Sequence, residues 1–368
     1  MINNFLKKLA ILKGDKDEII TAVPLDSRRV LNSALTQLAL AKGNALKAKI
    51  IIAVLKLLNF PFLYPLLFQK KIQITQNDKW GKFLLFFSNR LKTPIEQISF
   101  SIYKAPGKFV LPIFNNKTGE VLAYAKVYDK ETKERGENEA RALRYLNNFS
   151  FESAEPPRLI ASEEIGKNLV NIISTKEGLK NFKGVTEAHL AWIKELAQKT
   201  GKRMKFEDSL FAREMDKEME FVKSKLNEKD LELVEYFYKK AKKALQDKEF
   251  VFSFISWDFD YYEFLRHKTK NLVVDWEYAR EEYPSLFDVF SLLLSERRGW
   301  LRDLKIILRN KKTAAIVGDF LREWRISKED VYPFFLLFLI DRLLQSSQKD
   351  KETIIQFLNN ARVFDYKL

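Results

Sequence analysis

Residues 250–288 decide the fold, and they read FVFSFISWDFDYYEFLRHKTKNLVVDWEYAREEYPSLFD. Two runs in this stretch, 251–255 and 271–274, are rich in the β-branched and aromatic residues that are typical of buried strands. The chain reaches an aspartate shortly after each run, Asp258 in the first case and Asp275 in the second. We therefore expect a short strand pair that holds two carboxylates rigidly and directs them into a cleft.

Three pieces of this stretch carry a resemblance to known proteins: the dipeptide Asp258-Phe259, the segment NLVVDWE at 271–277 and the segment PSLFD at 284–288. Together they resemble the catalytic core of the aminoglycoside phosphotransferase and choline kinase-like families, which are relatives of the protein kinases. The resemblance implies a two-lobed α+β fold of the protein kinase type, with a small antiparallel β lobe and a larger helical lobe.

The same resemblance implies a function and assigns roles to the two aspartates. Asp258 is the expected catalytic residue, which accepts or orients the proton of a substrate hydroxyl, and Asp275 is expected to bind Mg²⁺ at the phosphates of ATP. The expected activity is an ATP-dependent phosphotransfer to a hydroxyl of a small molecule.

The chain departs from the family's pattern beside both roles. Ser256 and Trp257 stand where the family has His-Gly, and Glu263 stands where it has a metal-binding asparagine. A carboxylate is a hard oxygen ligand, as an amide oxygen is, so Glu263 is the expected second ligand of the metal. An alternative interpretation of these departures is a pseudokinase or binding module without phosphotransfer.

The region from residue 98 to residue 128 changes to β character and predicts three strands joined by turns, at 98–103, 109–114 and 120–128. The first turn, at 104–108, contains Gly107 and Lys108. In a kinase-like small lobe this turn covers the nucleotide phosphates, so Gly107 and Lys108 are expected to contribute to cofactor binding.

Lys126 lies within the third of these strands, which is otherwise apolar. An inward-pointing lysine there needs an acidic or phosphate partner. The segment 135–147 predicts a helix that places Glu139 within reach of Lys126, with Glu137 as the alternative. This matches the kinase-like families, in which such a lysine grips the α- and β-phosphates of ATP and the glutamate holds it. A surface lysine and a solvated acid are the structural alternative.

Residues 1–95 are expected to form a helical N-terminal extension. Asp26 or Ser27 is a candidate cap for its first helix, because leucines follow at roughly helical spacing. Residues 20–70 are also similar to the N-terminal part of phosphotransferase-like proteins of bacterial surface-glycan pathways. That likeness implies a sugar or a glycan-lipid as the acceptor.

The apolar run at residues 49–71 is interrupted by Lys56, Pro61 and Pro65, and its longest uncharged part is too short to span a bilayer. It is expected either to pack on the main domain or, since lysines flank it, to lie in a membrane interface.

The remaining chain divides into a small nucleotide-binding lobe at 96–178 and a helical large lobe, with the catalytic segment, at 179–368. Apolar periodicity in the large lobe predicts a helix capped by Thr186 and further helices at 231–245, 286–310, 313–324 and 328–345. His189 and Asp288 are expected to have structural roles, Asp288 by tying down the helix that follows it.

Composition limits the classes of function. The 368 residues are 46% hydrophobic and 13% aromatic, which indicates a folded protein, and the absence of cysteine excludes disulfides and thiolate chemistry. The net charge of +15 favours anionic partners, although lysines spread over helix surfaces explain it equally well. No nucleic-acid recognition motif is present, so nucleic acid is not an expected partner.

The first residues lack the apolar core of a signal peptide. A cytoplasmic location is therefore expected, with peripheral contact at the inner membrane face through residues 49–71 as a further expectation.

Overall fold

The computed structural model describes residues 7–13, 19–25, 27–41, 70–75, 77–223, 226–295, 311–345 and 348–364. In this part of the chain the strands are β1 (Lys7–Lys13), β2 (Ile19–Pro24), β3 (Lys70–Ile74), β4 (Ile98–Phe100), β5 (Ile102–Ala105), β6 (Lys108–Asn115), β7 (Val121–Tyr128), β8 (Ala154–Glu155), β9 (Leu159–Ile165), β10 (Asn168–Ile173), β11 (Lys180–Asn181), β12 (Lys202–Lys205), β13 (Glu249–Ile255), β14 (Phe264–Arg266), β15 (Asn271–Val273) and β16 (Arg280–Pro284). The helices are α1 (Arg28–Ala41), α2 (Lys79–Leu91), α3 (Lys133–Leu146), α4 (Glu187–Thr200), α5 (Leu210–Val222), α6 (Glu228–Leu245), α7 (Leu286–Ser295), α8 (Lys311–Trp324), α9 (Lys328–Gln345) and α10 (Gln348–Phe364).

The chain folds into two compact units. The first comprises Met1–Ser150, Glu155–Asn181 and Leu265–Glu277, and the second comprises Phe151–Ala154, Phe182–Phe264 and Tyr278–Leu368. The segment that carries Asp275 therefore belongs to the first unit, although it lies between two segments of the second unit in sequence.

The first unit is built on a large antiparallel sheet. Among the described residues it has nine strands in the order β3-β1-β2-β5-β6-β7-β10-β9, with β4 also paired to β6. The side chains of helix α2 close one face, because Phe83 and Phe87 are buried against Phe100 and Ile113 of the sheet's core cluster. Strands β6 and β7 are almost continuous apolar runs, and residues of both belong to this core.

The N-terminal residues are not wholly helical, and this part of the prediction is corrected. Helices α1 and α2 are present, but β1, β2 and β3 are strands that extend the large sheet beyond β5. The run Ile19–Pro24 is rich in β-branched residues, which pack well on a pleated sheet, and Leu9 and Ala22 are buried in its core.

The expectations for the cap of the first helix and for the apolar run at 49–71 can be compared with the structure only in part. Ser27 caps α1, since its Oγ accepts a hydrogen bond from the backbone N of Val30 at 3.2 Å, whereas Asp26 lies outside the described residues. The apolar run at 49–71 also lies outside them, except for its last two residues, which begin β3. None of the helices described is long and apolar enough to cross a bilayer.

The turn between β5 and β6 is shorter than expected, and this moves Lys108. Only Pro106 and Gly107 lie between the strands, and Gly107 has φ +74°, as the second central residue of a type II turn requires. Lys108 is therefore the first residue of β6 and not a loop residue. Its strand partner is Tyr128, while Val110 is the partner of Lys126. Lys108 and Lys126 consequently project from the same face of the sheet.

In the second unit a three-stranded antiparallel sheet, β12-β13-β16, is surrounded by helices. Its core is aromatic, since the ring of Phe287 contacts those of Phe211, Tyr283 and Phe338 edge to face. Helix α9 matches the prediction, α8 begins two residues earlier, and of the helix predicted at 286–310 the residues after 295 lie outside the described part.

The strands that precede the two aspartates do not pair with each other, which corrects the expected strand pair. Strand β13 lies in the three-stranded sheet, whereas β15 lies in a separate sheet of order β11-β14-β15-β8. The chain between them forms β14, and β14 is the neighbour that β15 pairs with. Strand β14, which is closer to β15 in sequence, thus pairs with β15 where we had predicted β13.

Candidate active site

Lys126 is the centre of a buried charge cluster in the first unit. It lies in the middle of β7, and its Nζ donates to Oε1 of Glu139 on α3, which confirms the expected contact. The same Nζ donates to Oδ1 of Asp275 at 2.9 Å. Glu137, the alternative partner, is exposed and lies 3.6 Å from Lys133 instead. The two carboxylates supply the counter-charges that a buried lysine needs.

Glu139 is held in place by two further groups. The hydroxyl of Tyr128 donates to its Oε2 at 2.8 Å, and the side chain of Asn171 on β10 lies at 3.5 Å from the same oxygen. Asn171 also donates to the backbone oxygen of Gly136 at 2.8 Å, which fixes α3 against the sheet. Burial, together with the negative charge of Glu139, raises the pKa of Tyr128 well above its ordinary value, so its hydroxyl stays a donor.

Asp275 follows β15 in a left-handed backbone conformation, with φ +71°. A residue other than glycine adopts this conformation at a cost, and such residues occur often at functional sites. The next residue, Trp276, is fully buried and donates from its indole to the backbone oxygen of Val273 at 2.9 Å. This anchor fixes the turn that directs the Asp275 carboxylate at the two lysines.

Lys108 completes the cluster in a way that the sequence did not reveal. Its Nζ donates to Oδ1 of Asp275 at 2.5 Å and to Oε2 of Glu277 at 2.7 Å. Only 6% of the Lys108 side chain and 7% of the Glu277 side chain are exposed, so this is a buried pair. We assigned no role to Glu277 from the sequence. Its place two residues after Asp275 indicates a shared site only when the end of β15 at Val273 is known.

The two lysines govern the charge of Asp275. Burial opposes ionisation of this carboxylate, but the positive charges of Lys108 and Lys126 outweigh it and hold the pKa of Asp275 well below its ordinary value. Burial raises the pKa of Glu277, and the neighbouring charge of Asp275 adds to that shift. Asp275 is thus the firmly ionised member of the pair.

One oxygen of Asp275, a predicted magnesium ligand, already accepts hydrogen bonds from two ammonium groups. Asp275 and Glu277 offer the oxygen atoms that Mg²⁺ prefers, but the ammonium groups of the two lysines already take Oδ1 of Asp275 and Oε2 of Glu277. In the part of the chain that the structure describes, no three Asp, Glu or His side chains form a group suited to a metal.

Glu263, the other predicted ligand, lies in the second unit. Its Oε2 accepts a long hydrogen bond, 3.4 Å, from the backbone N of Asp260. The backbone N of Glu263 in turn donates to the oxygen of Asp260 at 3.0 Å. Glu263 therefore stabilises the loop that follows Asp258.

Asp258 lies on a loop after β13 in the second unit, and its carboxylate is half-exposed. The guanidinium of Arg342, on α9, donates from Nη1 to Oδ1 of Asp258 at 2.8 Å and from Nη2 to the backbone oxygen of Trp257 at 2.5 Å. Nη2 also donates to the hydroxyl of Ser291 at 2.6 Å. Arg342 thus holds both Asp258 and the residue before it.

Trp257, which stands in the family's glycine position, has a structural explanation. Its φ is +71°, in the region that favours glycine, and its side chain is buried. The indole donates to Oδ2 of Asp341, and its ring stacks on the guanidinium of Arg342, whose central carbon lies 4.0 Å from the ring centroid. The indole therefore helps to position the arginine that binds Asp258.

Asp288 fixes the same loop from the other side. Its two carboxylate oxygens accept hydrogen bonds from the backbone N of Ser256 and of Trp257, each at 2.9 Å. We expected Asp288 to tie down its own helix, and the structure shows that it ties the loop that carries Asp258 to the first turn of α7. Burial raises its pKa to about 7, and burial also raises the pKa of Asp341 to about 6.

His189 has the structural role that was expected. It closes a capping box at the start of α4, where its Nδ1 accepts a hydrogen bond from the backbone N of Thr186 at 3.1 Å. Burial lowers its pKa to about 4, which keeps the ring neutral and able to accept.

Solved structures of similar fold support the resemblance. A thermostable mutant of aminoglycoside phosphotransferase APH(4)-Ia, in ternary complex with AMP-PNP and hygromycin B, superposes with a TM-score of 0.51 at 11% sequence identity, over 76% of this chain and 95% of that one. Amicoumacin kinase hAmiN gives 0.44 at 15% identity, over 72% and 87%. Aminoglycoside phosphotransferase APH(2'')-IIa gives 0.44 at 11%, over 77% and 97%.

The chain thus has the protein kinase-like fold that aminoglycoside phosphotransferases share, and the predicted fold class is confirmed. No family model and no curated protein sequence matches the chain. At these identities the comparison defines the architecture, and the chemistry has to be argued from the residues.

Proposed function

We propose that the protein transfers a phosphoryl group from ATP to a hydroxyl of a small molecule. The observation that carries the proposal is the arrangement of Lys126, held by Glu139 and placed at 2.9 Å from Asp275, on a protein kinase-like fold. A strand lysine held by a helix glutamate is the arrangement with which kinases position the phosphates of ATP.

The donor is ATP, and its phosphates meet two ammonium groups in this cluster. Lys108 and Lys126 lie on one face of the sheet, and both reach Asp275. The solved structure with a TM-score of 0.51 holds AMP-PNP and hygromycin B, a nucleotide analogue and a small molecule. Magnesium, which the resemblance implies, could bind Oδ1 of Asp275 only by displacing a lysine.

Asp258 has the role of proton acceptor in this proposal. The acceptor oxygen attacks the γ-phosphorus, the bond from that phosphorus to the bridging oxygen breaks, and ADP leaves with the electron pair. The hydroxyl proton passes to the Asp258 carboxylate, which is half-exposed and therefore open to a substrate. Trp257 and Asp288 are positioning residues, since they hold the loop, and Arg342 holds both the loop and Oδ1 of Asp258.

The acceptor class that we propose is a sugar or a glycan-lipid, on the resemblance of residues 20–70 to proteins of bacterial surface-glycan pathways. A cytoplasmic location with peripheral contact through residues 49–71 is part of the same proposal. Sedimentation of the protein with vesicles that contain an anionic lipid would test that contact. Recovery of all the protein in the supernatant would contradict it.

Transfer of labelled γ-phosphate from ATP to a panel of sugars and lipid-linked sugars tests the main proposal. We expect transfer by the wild-type protein, its loss in both Asp258→Asn and Lys126→Met, and a loss of ATP binding only in Lys126→Met. ATP binding is measured by calorimetry on the same samples. A protein that neither binds ATP nor consumes it would overturn the proposal.

One observation favours a second candidate, a pseudokinase that binds a nucleotide without transferring phosphate. Arg342 donates to Oδ1 of Asp258, so one of the two carboxylate oxygens that could accept the proton already has a partner. This alternative predicts ATP binding that Lys126→Met removes, together with no turnover on any acceptor. Turnover that Asp258→Asn abolishes would exclude it.

A further inference from the structure

We propose that the ammonium group of Lys108 occupies the position of a divalent cation between Asp275 and Glu277, so that nucleotide binding does not depend on a divalent metal. The proposal rests on the proposed function in one respect, namely that this cluster binds a nucleotide. It goes further in assigning the positive charge beside the phosphates to a side chain of the protein.

The first support is geometric. The Nζ of Lys108 lies 2.5 Å from Oδ1 of Asp275 and 2.7 Å from Oε2 of Glu277, and so bridges two carboxylates from one turn. A metal ion bound through these same two oxygen atoms would lie where the ammonium lies. Lys108 and a metal therefore compete for this pair of oxygens.

The second support is burial. Lys108 and Glu277 are nearly inaccessible, with 6% and 7% of their side chains exposed. Lysine is rarely buried to this extent without a partner, and a buried pair is broken at a high cost because a charge is left uncompensated. Displacement of Lys108 by a hydrated metal ion would have to meet that cost.

The third support is the backbone position of Lys108. It begins β6 opposite Tyr128, directly after a two-residue turn whose Gly107 oxygen accepts a hydrogen bond from Thr132 Oγ1 at 2.6 Å. A Cβ on Gly107 would lie 2.9 Å from Cγ2 of Thr132, so the turn packs closely against the start of α3. The lysine therefore projects from a fixed strand and not from a loop free to open.

The hydrogen-bond donors of the cluster are consistent with this role. Lys108 and Lys126 face three carboxylates, those of Glu139, Asp275 and Glu277. Each ammonium has three N–H donors and directs two at these carboxylates, which leaves one donor on each for a phosphate oxygen, as far as the described residues show. Direct contact with phosphate oxygens, a task of the metal in the kinase-like families, would then come from these two lysines.

Calorimetric titration of the full chain with ATP, in excess EDTA and in excess MgCl₂, is the first test. We expect dissociation constants that agree within about threefold in the wild-type protein, since the cation is already present. Binding that appears only with Mg²⁺ would overturn the inference and leave the proposed function standing.

A second measurement does not depend on nucleotide. Electron paramagnetic resonance with Mn²⁺ alone should show no ion bound at this cluster in the wild-type protein. Lys108→Met removes the ammonium at nearly constant length, and we expect this variant to bind Mn²⁺ and to gain at least about a tenfold preference for ATP with Mg²⁺. If Lys108→Met behaves like the wild type in both assays, the inference is wrong.

The controls separate charge from position. Lys130→Met removes an exposed lysine from the same unit and should leave both assays unchanged. Lys108→Arg keeps a cation and should keep ATP binding independent of Mg²⁺. This variant also provides a comparison with the wild-type protein if Lys108→Met does not fold. Adding Glu277→Gln to Lys108→Met should abolish the gained Mn²⁺ binding. The wild-type protein could fail to bind ATP while Lys108→Met gains Mn²⁺ binding. That result would support the assignment of Lys108 to the cation position and reject the proposed function.

Discussion

The contact between Lys126 and Glu139 shows how one residue can be tested against its neighbour. Glu139 is fully buried and hydrogen-bonded to Lys126 and Tyr128. Glu137, two residues earlier in the same helix, is exposed beside Lys133. The two acids differ in environment alone, so they form a matched pair for mutation.

We predict that Glu139→Gln weakens ATP binding by about tenfold or more and lowers the free energy of unfolding by up to about 3–5 kcal/mol, because Lys126 loses a buried counter-charge. Glu137→Gln should change stability by at most about 0.5 kcal/mol, as an exposed i,i+4 pair does. Calorimetry with ATP and urea unfolding measure the two effects. Equal effects of the two substitutions would contradict the buried assignment.

Asp288 provides a prediction about pH. Its pKa is raised from an ordinary value of 3.8 to about 7 in the folded protein, chiefly by burial, so the folded state holds a proton that the unfolded state releases. The stabilisation from that proton is complete below about pH 4 and is lost as the pH rises through about 7. Asp288→Asn removes this titration.

We therefore predict that the wild-type protein loses stability relative to Asp288→Asn as the pH rises from about 4 to about 7, by an amount on the order of a few kcal/mol. Urea unfolding of both proteins at several pH values measures the difference. A difference that stays constant over this range, or that changes in the opposite direction, would show that Asp288 is ionised in the folded state.

At the scale of elements, helix α3 sits close to the sheet because of one glycine. A Cβ added at Gly136 would lie 2.5 Å from Cδ2 of Tyr128 and 2.8 Å from Cδ2 of Leu169. Glycine in a helix interior is unfavourable by about 1 kcal/mol relative to alanine, and close packing explains its presence here. The short distance between helix and sheet is also what lets Glu139 reach Lys126.

We predict that Gly136→Ala destabilises the protein by about 1–3 kcal/mol, since the methyl group pushes α3 away from β7. The displacement should also weaken ATP binding. Gly318→Ala, in α8, is the matched control: a Cβ there meets nothing within 4 Å, and the expected change is a stabilisation of about 0.4–1 kcal/mol. Thermal unfolding decides the signs, and a stabilising Gly136→Ala would contradict the packing argument.

At the scale of the whole molecule, the N-terminal strands belong to the unit that contains the charge cluster. Leu9 of β1, Ala22 of β2 and Ile74 of β3 lie in the same core cluster as Ala125 and Val127, the neighbours of Lys126 on β7. The stability of the charge cluster should therefore depend on Leu9 and Ala22, which lie more than a hundred positions before Lys126 in sequence.

We predict that Leu9→Ala lowers the free energy of unfolding by about 2–5 kcal/mol, as large-to-small changes in a core do. If the two units unfold in separate transitions, the affected transition should be the one that ATP raises, because a ligand stabilises the unit that binds it. Gln73→Ala, at an exposed position of β3, is the control. An effect of Leu9→Ala confined to the other transition would contradict the shared core.

The sequence by itself determined the features that depend on local pattern. Apolar segments between turn residues predicted β6 and β7, and helical periodicity predicted α4 and α9. The step from strand to helix placed Glu139 near Lys126, only 13 residues away. These features follow from the period of the side chains and from short connections, which a single chain displays along its length. The two aspartates were found for the same reason, since each follows an apolar run.

Only the tertiary structure decided which distant residues meet. Lys108 reaches Asp275 across 167 positions and Arg342 reaches Asp258 across 84, and neither pairing has a local signature. The position of Lys108 depends on a two-residue turn and on a sheet register with an irregularity between Ile113 and Phe114, and a shift of one residue would turn its side chain to the other face. The contact of the Lys108 ammonium with Asp275 could therefore be identified only from the tertiary structure.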